Sequence, residues 1–267
     1  MSSKKLIVRE SLALKYRPKT LADLVGQDRI VTRINGIVKT LNVPNAILLT
    51  GPTGGGKTTT ARIIARTLNC ETLDNCGTCA SCVAMDKEMH RDYMEINAAD
   101  ARGIDDTRNI INQAKFKPSM GNLRIIVIDE AQQLTPQAAQ ALLKSLEEPH
   151  AHTLWILCSM EPEKLHKAIF NRCTHMRIEA VGKEKMVARF KTILKAEKLK
   201  IADELLFLLA EYSEGQMRLG LQNLDAARQF LMANDDLDAE ALSDGLKAEI
   251  ESTDDVHMVN ILSGIWL

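Results

Sequence analysis

The chain has 267 residues, a formal net charge of −1, 45% hydrophobic residues and 26% charged ones. That length allows more than one domain with a real core, and the composition is ordinary for a globular protein. No apolar run approaches the roughly 20 residues of a membrane span, and no apolar segment follows Met1-Ser2-Ser3-Lys4-Lys5 to make a secretion signal. A near-neutral charge confines any nucleic-acid binding to a local patch. The expected compartment is the cytoplasm.

In chain order, residues 1–10 read as a lead-in, and helical patterning continues to about Leu41, where Pro44 stops it. Ala46 to Thr50 is an apolar run of strand length. Gly51-Pro52-Thr53-Gly54-Gly55-Gly56-Lys57-Thr58 follows the pattern G-x-x-x-x-G-K-[ST], and Thr59 to Leu68 has helical apolar spacing. Strand, glycine loop and helix form the context a phosphate-binding loop needs. The glycines let backbone N–H groups turn inward, and the helix N-terminus adds partial positive charge. The candidate phosphate ligands are Gly51, Gly54, Gly55, Gly56, Lys57, Thr58 and Thr59. Lys57 would reach the outer phosphates of ATP, and the Thr58 hydroxyl would bind Mg²⁺.

Cys70, Cys76, Cys79 and Cys82 follow with the spacing C-x5-C-x2-C-x2-C. Inside a cell this reads as a tetrahedral four-cysteine zinc site of structural character. A disulfide reading needs an oxidising compartment, and a redox C-x-x-C is the remaining alternative. Residues 85–91 are expected to be helical, 93–97 a strand and 104–114 a helix. Leu123 to Asp129 is an apolar strand ending in Asp129-Glu130. There Asp129 would hold Mg²⁺, and Glu130 would polarise the water that attacks the γ-phosphate.

A helix over 135–146 carries Pro136 in its first turn. A strand over 155–159, containing the core residue Cys158, is followed by a short helix over 162–170, a loop with Arg172, and a strand over 174–178. Alternating strands and helices predict an α/β fold, a parallel sheet with helices on both faces. From residue 183 the pattern is helical only, over 183–198, 202–213 and 216–232. Residues 236–267 are acidic and loosely helical, without a core of their own. The expected division is therefore 1–180 with the cysteine insert at about 69–84, a small helical domain over 181–234, and a tail or the start of a further helical region over 235–267.

Lys15-Tyr16-Arg17-Pro18, Asp23-Leu24-Val25-Gly26-Gln27, the cysteine insert and Ala141-Leu142-Leu143-Lys144-Ser145-Leu146-Glu147-Glu148-Pro149 together resemble the clamp-loader branch of the AAA+ ATPases. Within that branch they look like the bacterial gamma/tau subunit of DNA polymerase III. The resemblance covers about residues 11–232. It implies an ATPase subunit with ATP, Mg²⁺ and Zn²⁺. Its partners would be other loader subunits in a homo- or hetero-oligomeric ring, expected to be pentameric, together with a sliding clamp and primer–template DNA, and no membrane. It places Ser159 at the family's first sensor position and Arg218 at its second, on the helical lid. It also implies that Arg172, in Asn171-Arg172-Cys173, serves a neighbouring subunit's ATP in trans.

Three departures stand out. Asn171 replaces the family's serine, Gln132 replaces a common histidine, and the first cysteine spacing is x5 where x8 is usual. The family's collar domain is at most begun here, so the chain reads either as a fragment or as a reduced form. For DNA, Arg102 and Arg108 at the start of the 104–114 helix are the candidates, since cations at a helix N-terminus can track phosphates without reading bases. Asp105 and Asp106 offset their charge. Two rival readings remain: a non-hydrolysing scaffold subunit of the same assembly, and another DNA-remodelling AAA+ ATPase.

Overall fold

Five strands make one parallel sheet: β1 (Ala46–Thr50), β2 (Tyr93–Asn97), β3 (Arg124–Asp129), β4 (Thr153–Ser159) and β5 (Thr174–Arg177). Their spatial order is β2-β3-β4-β1-β5. The structure is a computed structural model that describes residues 10–100 and 104–233, apart from the side chains of 104–106 and 230–233.

Parallel neighbours need crossover connections, and helices supply them. They are α3 (Lys57–Asn69), α4 (Ala80–Asp86), α5 (Ile104–Ala114), α6 (Pro136–Glu147) and α7 (Lys167–Arg172), while α2 (Asp28–Thr40) precedes β1 and packs on the sheet. Alternate strand residues face opposite layers. Ile47, Leu49, Val127 and Ile156 pack with Ile34 of α2 and Ile64 and Leu68 of α3. Leu48, Ile126, Trp155 and Leu157 pack with Leu142 and Leu146 of α6 and Ile169 of α7. β4 is buried along its whole length, which is why it reads as a continuous apolar run without alternation. The fold is the expected α/β sheet covered on both faces.

The local boundaries shift in several places. β4 starts two residues before the expected position, and β5 ends at Arg177. The helix expected over 85–91 lies instead at Ala80–Asp86, because Cys79 caps it by accepting the Cys82 N–H on its sulfur. Glu88, left-handed at φ 55°, follows its last turn. The single helix expected over 162–170 is a 3₁₀ turn, Pro162–Lys164, and then α7. The His166 ring nitrogen Nδ1 accepts the Ala168 N–H at 3.2 Å and so sets the start of α7. Arg172, expected in a loop, is the last helical residue.

The described chain divides into two units. One is residues 18–179, and the other groups residues 10–17 with residues 180–233. The second contains α1 (Leu12–Lys15), α8 (Lys183–Glu197), α9 (Asp203–Glu211) and α10 (Met217–Ala233). Leu12 is fully buried, and a charged knot holds α1 in this unit. Glu197 accepts from Lys15 at 2.6 Å, Tyr16 at 2.7 Å and the buried Arg228 at 3.2 Å. Asp225 accepts the Leu12 N–H at 3.2 Å. The Lys15 and Tyr16 hydrogen bonds hold the Glu197 carboxyl down to about 2. The tail or collar expected over 235–267 lies outside the described residues.

Candidate nucleotide site and cysteine cluster

The glycine loop leaves the carboxyl end of β1, and its backbone explains its composition. A Cβ on Gly51 would lie 2.6 Å from the Ile178 carbonyl oxygen, so only glycine fits there. Gly56, the residue before α3, is left-handed at φ 94°, a conformation that costs glycine nothing. Lys57 is buried, and its ammonium donates to the carbonyls of Gly51 at 3.1 Å and Pro52 at 3.0 Å. Thr58 and Thr59 continue the first turn of α3.

The neighbouring strands bring the second half of the site to this loop. The Thr58 hydroxyl donates to Asp129 Oδ2 at 2.6 Å, across 71 residues of sequence. A hydroxyl beside a carboxylate is the oxygen pair by which phosphate-bound Mg²⁺ is commonly held. Asp129 Oδ1 accepts the Glu130 N–H at 3.0 Å. Glu130 itself is left-handed at φ 53°, ψ 40°, and its Oε2 accepts from the Gln132 amide at 2.5 Å. Ser159 pairs in register with Thr50 at the end of β4, between β1 and β3. Its hydroxyl is fully buried and has no partner among the described residues. Buried polar groups are normally satisfied. An orphan hydroxyl beside the loop therefore fits a site that a ligand completes.

The cationic candidates are placed differently. Arg172 ends α7, about a third exposed, and pairs with Glu147 at 2.6 Å and the Ala168 carbonyl at 3.0 Å. Arg218 is exposed on the first turn of α10, in the helical unit. Arg102 lies outside the described residues. Arg108 lines a groove between α5 and α6, together with Asn112, Lys115, Gln137, Gln140 and Lys144. The sequence reading missed Lys115 and Lys144. Arg108, Asn112 and Lys115 recur at i, i+4 and i+7, the spacing of one helix face, with Lys115 one residue past the end of α5, which is a signal readable from the chain. Lys144 joins them only because α6 packs on α5.

The four cysteine sulfurs all lie within 4.8 Å of one another. Backbone N–H groups of Cys76, Cys79 and Cys82 point at the sulfurs of Cys70, Cys76 and Cys79, at 3.3, 3.4 and 3.4 Å. The Thr78 hydroxyl and backbone help hold the Cys76 thiol down to about 5, while burial pushes Cys82 up to about 12. Four thiols so disposed suit a thiophilic cation, whose positive charge would favour the Cys82 thiolate that burial disfavours. Arg66 of α3 forks onto the Asp86 carboxylate and fixes the cysteine segment to the sheet's helical layer.

A glycine loop, a Thr–Asp pair and a following acid at the carboxyl ends of a parallel sheet mark a P-loop protein, and its fold is of the AAA+ type. Residues 26–182 match the sequence family described as DNA polymerase III, delta subunit, and the chain belongs to that family. It is 35% identical over 219 residues to the DNA polymerase III subunit tau/gamma of Haemophilus influenzae, covering 81% of this chain and 32% of that protein. It is 34% identical over 224 residues to the Bacillus subtilis subunit tau, covering 83% and 40% respectively. The chain thus spans about a third to two fifths of the length of these relatives. In structure it is similar to the Thermotoga maritima RuvB Holliday junction branch migration motor, with a TM-score of 0.67 at 17% identity over 88% of this chain and 73% of that one. Domain III of the Thermotoga maritima replication initiation protein DnaA matches 84% of this chain and 93% of its own, with a TM-score of 0.58 at 16% identity. Among the described residues no helix is long and apolar enough to cross a membrane.

Elemental analysis of protein purified under reducing conditions is expected to find about one zinc per chain, with Zn–S distances near ~2.3 Å by X-ray absorption. Cys76→Ser with Cys79→Ser should lose the metal and speed amide exchange over residues 70–88 more than in the sheet. Metal-free wild-type protein would refute the zinc assignment.

Proposed function

We propose that this chain is an ATP-hydrolysing subunit of a DNA sliding-clamp loader. The carrying observation is the 2.6 Å meeting of Thr58 with Asp129 beside Glu130, in a chain similar to polymerase III tau and gamma subunits. The unit of residues 18–179 would bind the nucleotide, and α8 to α10 would form the family's lid. The loop N–H groups and Lys57 bind the phosphates, leaving their resting carbonyl partners. Thr58 and Asp129 would hold Mg²⁺, which neutralises charge on the phosphate oxygens. Glu130 orients the attacking water, and the Ser159 hydroxyl gains a partner. ATP binding would assemble the ring on clamp and primer–template DNA, and hydrolysis would release the loaded clamp.

The test is a pair of variants read by calorimetry and turnover. Lys57→Ala should lose ATP binding, because Lys57 meets phosphate in the ground state. Glu130→Gln should bind ATP with wild-type affinity and turn over at least about 100-fold more slowly, because its role is confined to the reacting water. Equal binding by wild type and Lys57→Ala would overturn the site assignment.

Arg172 would act across a subunit boundary. Its exposed guanidinium, exchanging Glu147 for a neighbour's γ-phosphate, would stabilise charge developing in transfer. Head-to-tail contacts of that kind build rings or open spirals. Arg172→Ala should bind ATP normally yet hydrolyse it slowly in the assembly, and mixing it with Glu130→Gln chains should restore part of the activity. Inactivity at every mixing ratio, with assembly confirmed, would count against a trans arginine.

The groove between α5 and α6 would carry the DNA backbone. Arg108, Lys115 and Lys144 place three cations among neutral amides there, which suits phosphates and reads no bases. Replacing all three by alanine should weaken DNA binding equally for all sequences and lower the salt slope by about three. An unchanged slope would move the DNA surface elsewhere.

A further inference from the structure

We propose that Gln132 is a positioning residue for Glu130, holding the carboxylate in the orientation from which it meets the attacking water. This rests on the ATPase reading above. The Gln132 side-chain nitrogen lies 2.5 Å from Glu130 Oε2. The amide must present nitrogen there, because its oxygen would be repelled by the carboxylate. Gln132 thus occupies one carboxylate oxygen and leaves Oε1 to accept from water.

Two further observations mark this short turn as kept for something other than stability. With its nitrogen committed, the Gln132 amide oxygen is left buried and without a partner among the described residues. An orphan acceptor of that kind is destabilising, and its retention calls for a reason. Glu130 also holds a left-handed backbone, a region non-glycine residues use sparingly and often at functional sites. Both costs fall within one turn, closed by the Gln133 N–H on the Glu130 carbonyl at 2.7 Å and anchored by the buried Ala131. The hydrogen bond and the fixed backbone together restrict the rotations by which the carboxylate would turn away. Catalysis gains from that restriction, because a group aimed in advance needs no reordering as water attacks.

The test compares wild type, Gln132→Met and Gln132→His in the full chain with its partner subunits and DNA. It measures ATP affinity, kcat and Tm. Methionine keeps the volume, removes the donor and removes the orphan acceptor. We expect ATP affinity within about twofold of wild type, kcat lower by about tenfold, and an equal or higher Tm. Histidine, which keeps an N–H donor, should recover most of the rate. Wild-type turnover by Gln132→Met would overturn the proposal. So would a joint fall of kcat and Tm that histidine does not repair, since that marks a structural residue. If wild-type protein neither binds nor hydrolyses ATP, the ATPase reading itself fails and takes this inference with it.

Discussion

The alignment of the carboxyl ends of β1, β4 and β3 is the constraint on which the chemistry of this protein rests. Parallel pairing sets Thr50 opposite Ser159 and Ile128 opposite Leu157. The loop after Thr50 and the acids after Ile128 therefore emerge on the same edge, and the Thr58–Asp129 hydrogen bond closes between them. A parallel sheet slipped by one residue would turn its alternate side chains to the wrong layer. The two apolar layers therefore enforce the register that aligns the site.

The same logic governs the connections that feed the edge. Asp92 is buried just before β2, and its carboxylate accepts N–H groups of Ser119, Met120 and Gly121 as well as the Arg124 guanidinium. Burial alone would raise this carboxyl, but the backbone donors and Arg124 hold it below its usual range. The charge stays buried because it is thoroughly hydrogen-bonded. It pins the segment that leads into β3, and so the start of the strand that ends in Asp129. On α3, Arg62 spans to Glu95 of β2 with two hydrogen bonds, and the Tyr93 hydroxyl joins the same carboxylate.

The cysteine segment is a different kind of structure. It has a single short helix, and its order comes from side chains that point inward to one another and from anchors at its rim. The Arg66–Asp86 fork and the Asn75 amide on the Lys19 carbonyl tie it to the body. Four thiols gathered without disulfide bonds carry a demand for charge that hydrogen bonds meet for Cys76 and that burial leaves unmet for Cys82.

Short-range rules in the chain itself determined much of this. The loop Gly51–Thr58, the run ending in Asp129-Glu130, the cysteine spacing and the alternation of strands with helices are local patterns, and local patterns reflect local physics: left-handed backbone, helix periodicity and ligand spacing. What only the tertiary structure decided was set by groups distant in sequence. The start of α7 at a histidine cap followed from a side-chain hydrogen bond that periodicity does not register. The grouping of residues 10–17 with α8 to α10 came from the Glu197 knot, more than 180 residues away. Lys144 met Arg108 and Lys115 only through helix packing. The hold of Gln132 on Glu130, though two residues apart, depended on a backbone turn into the left-handed region, because a side chain's partner is chosen by the direction of the backbone that carries it.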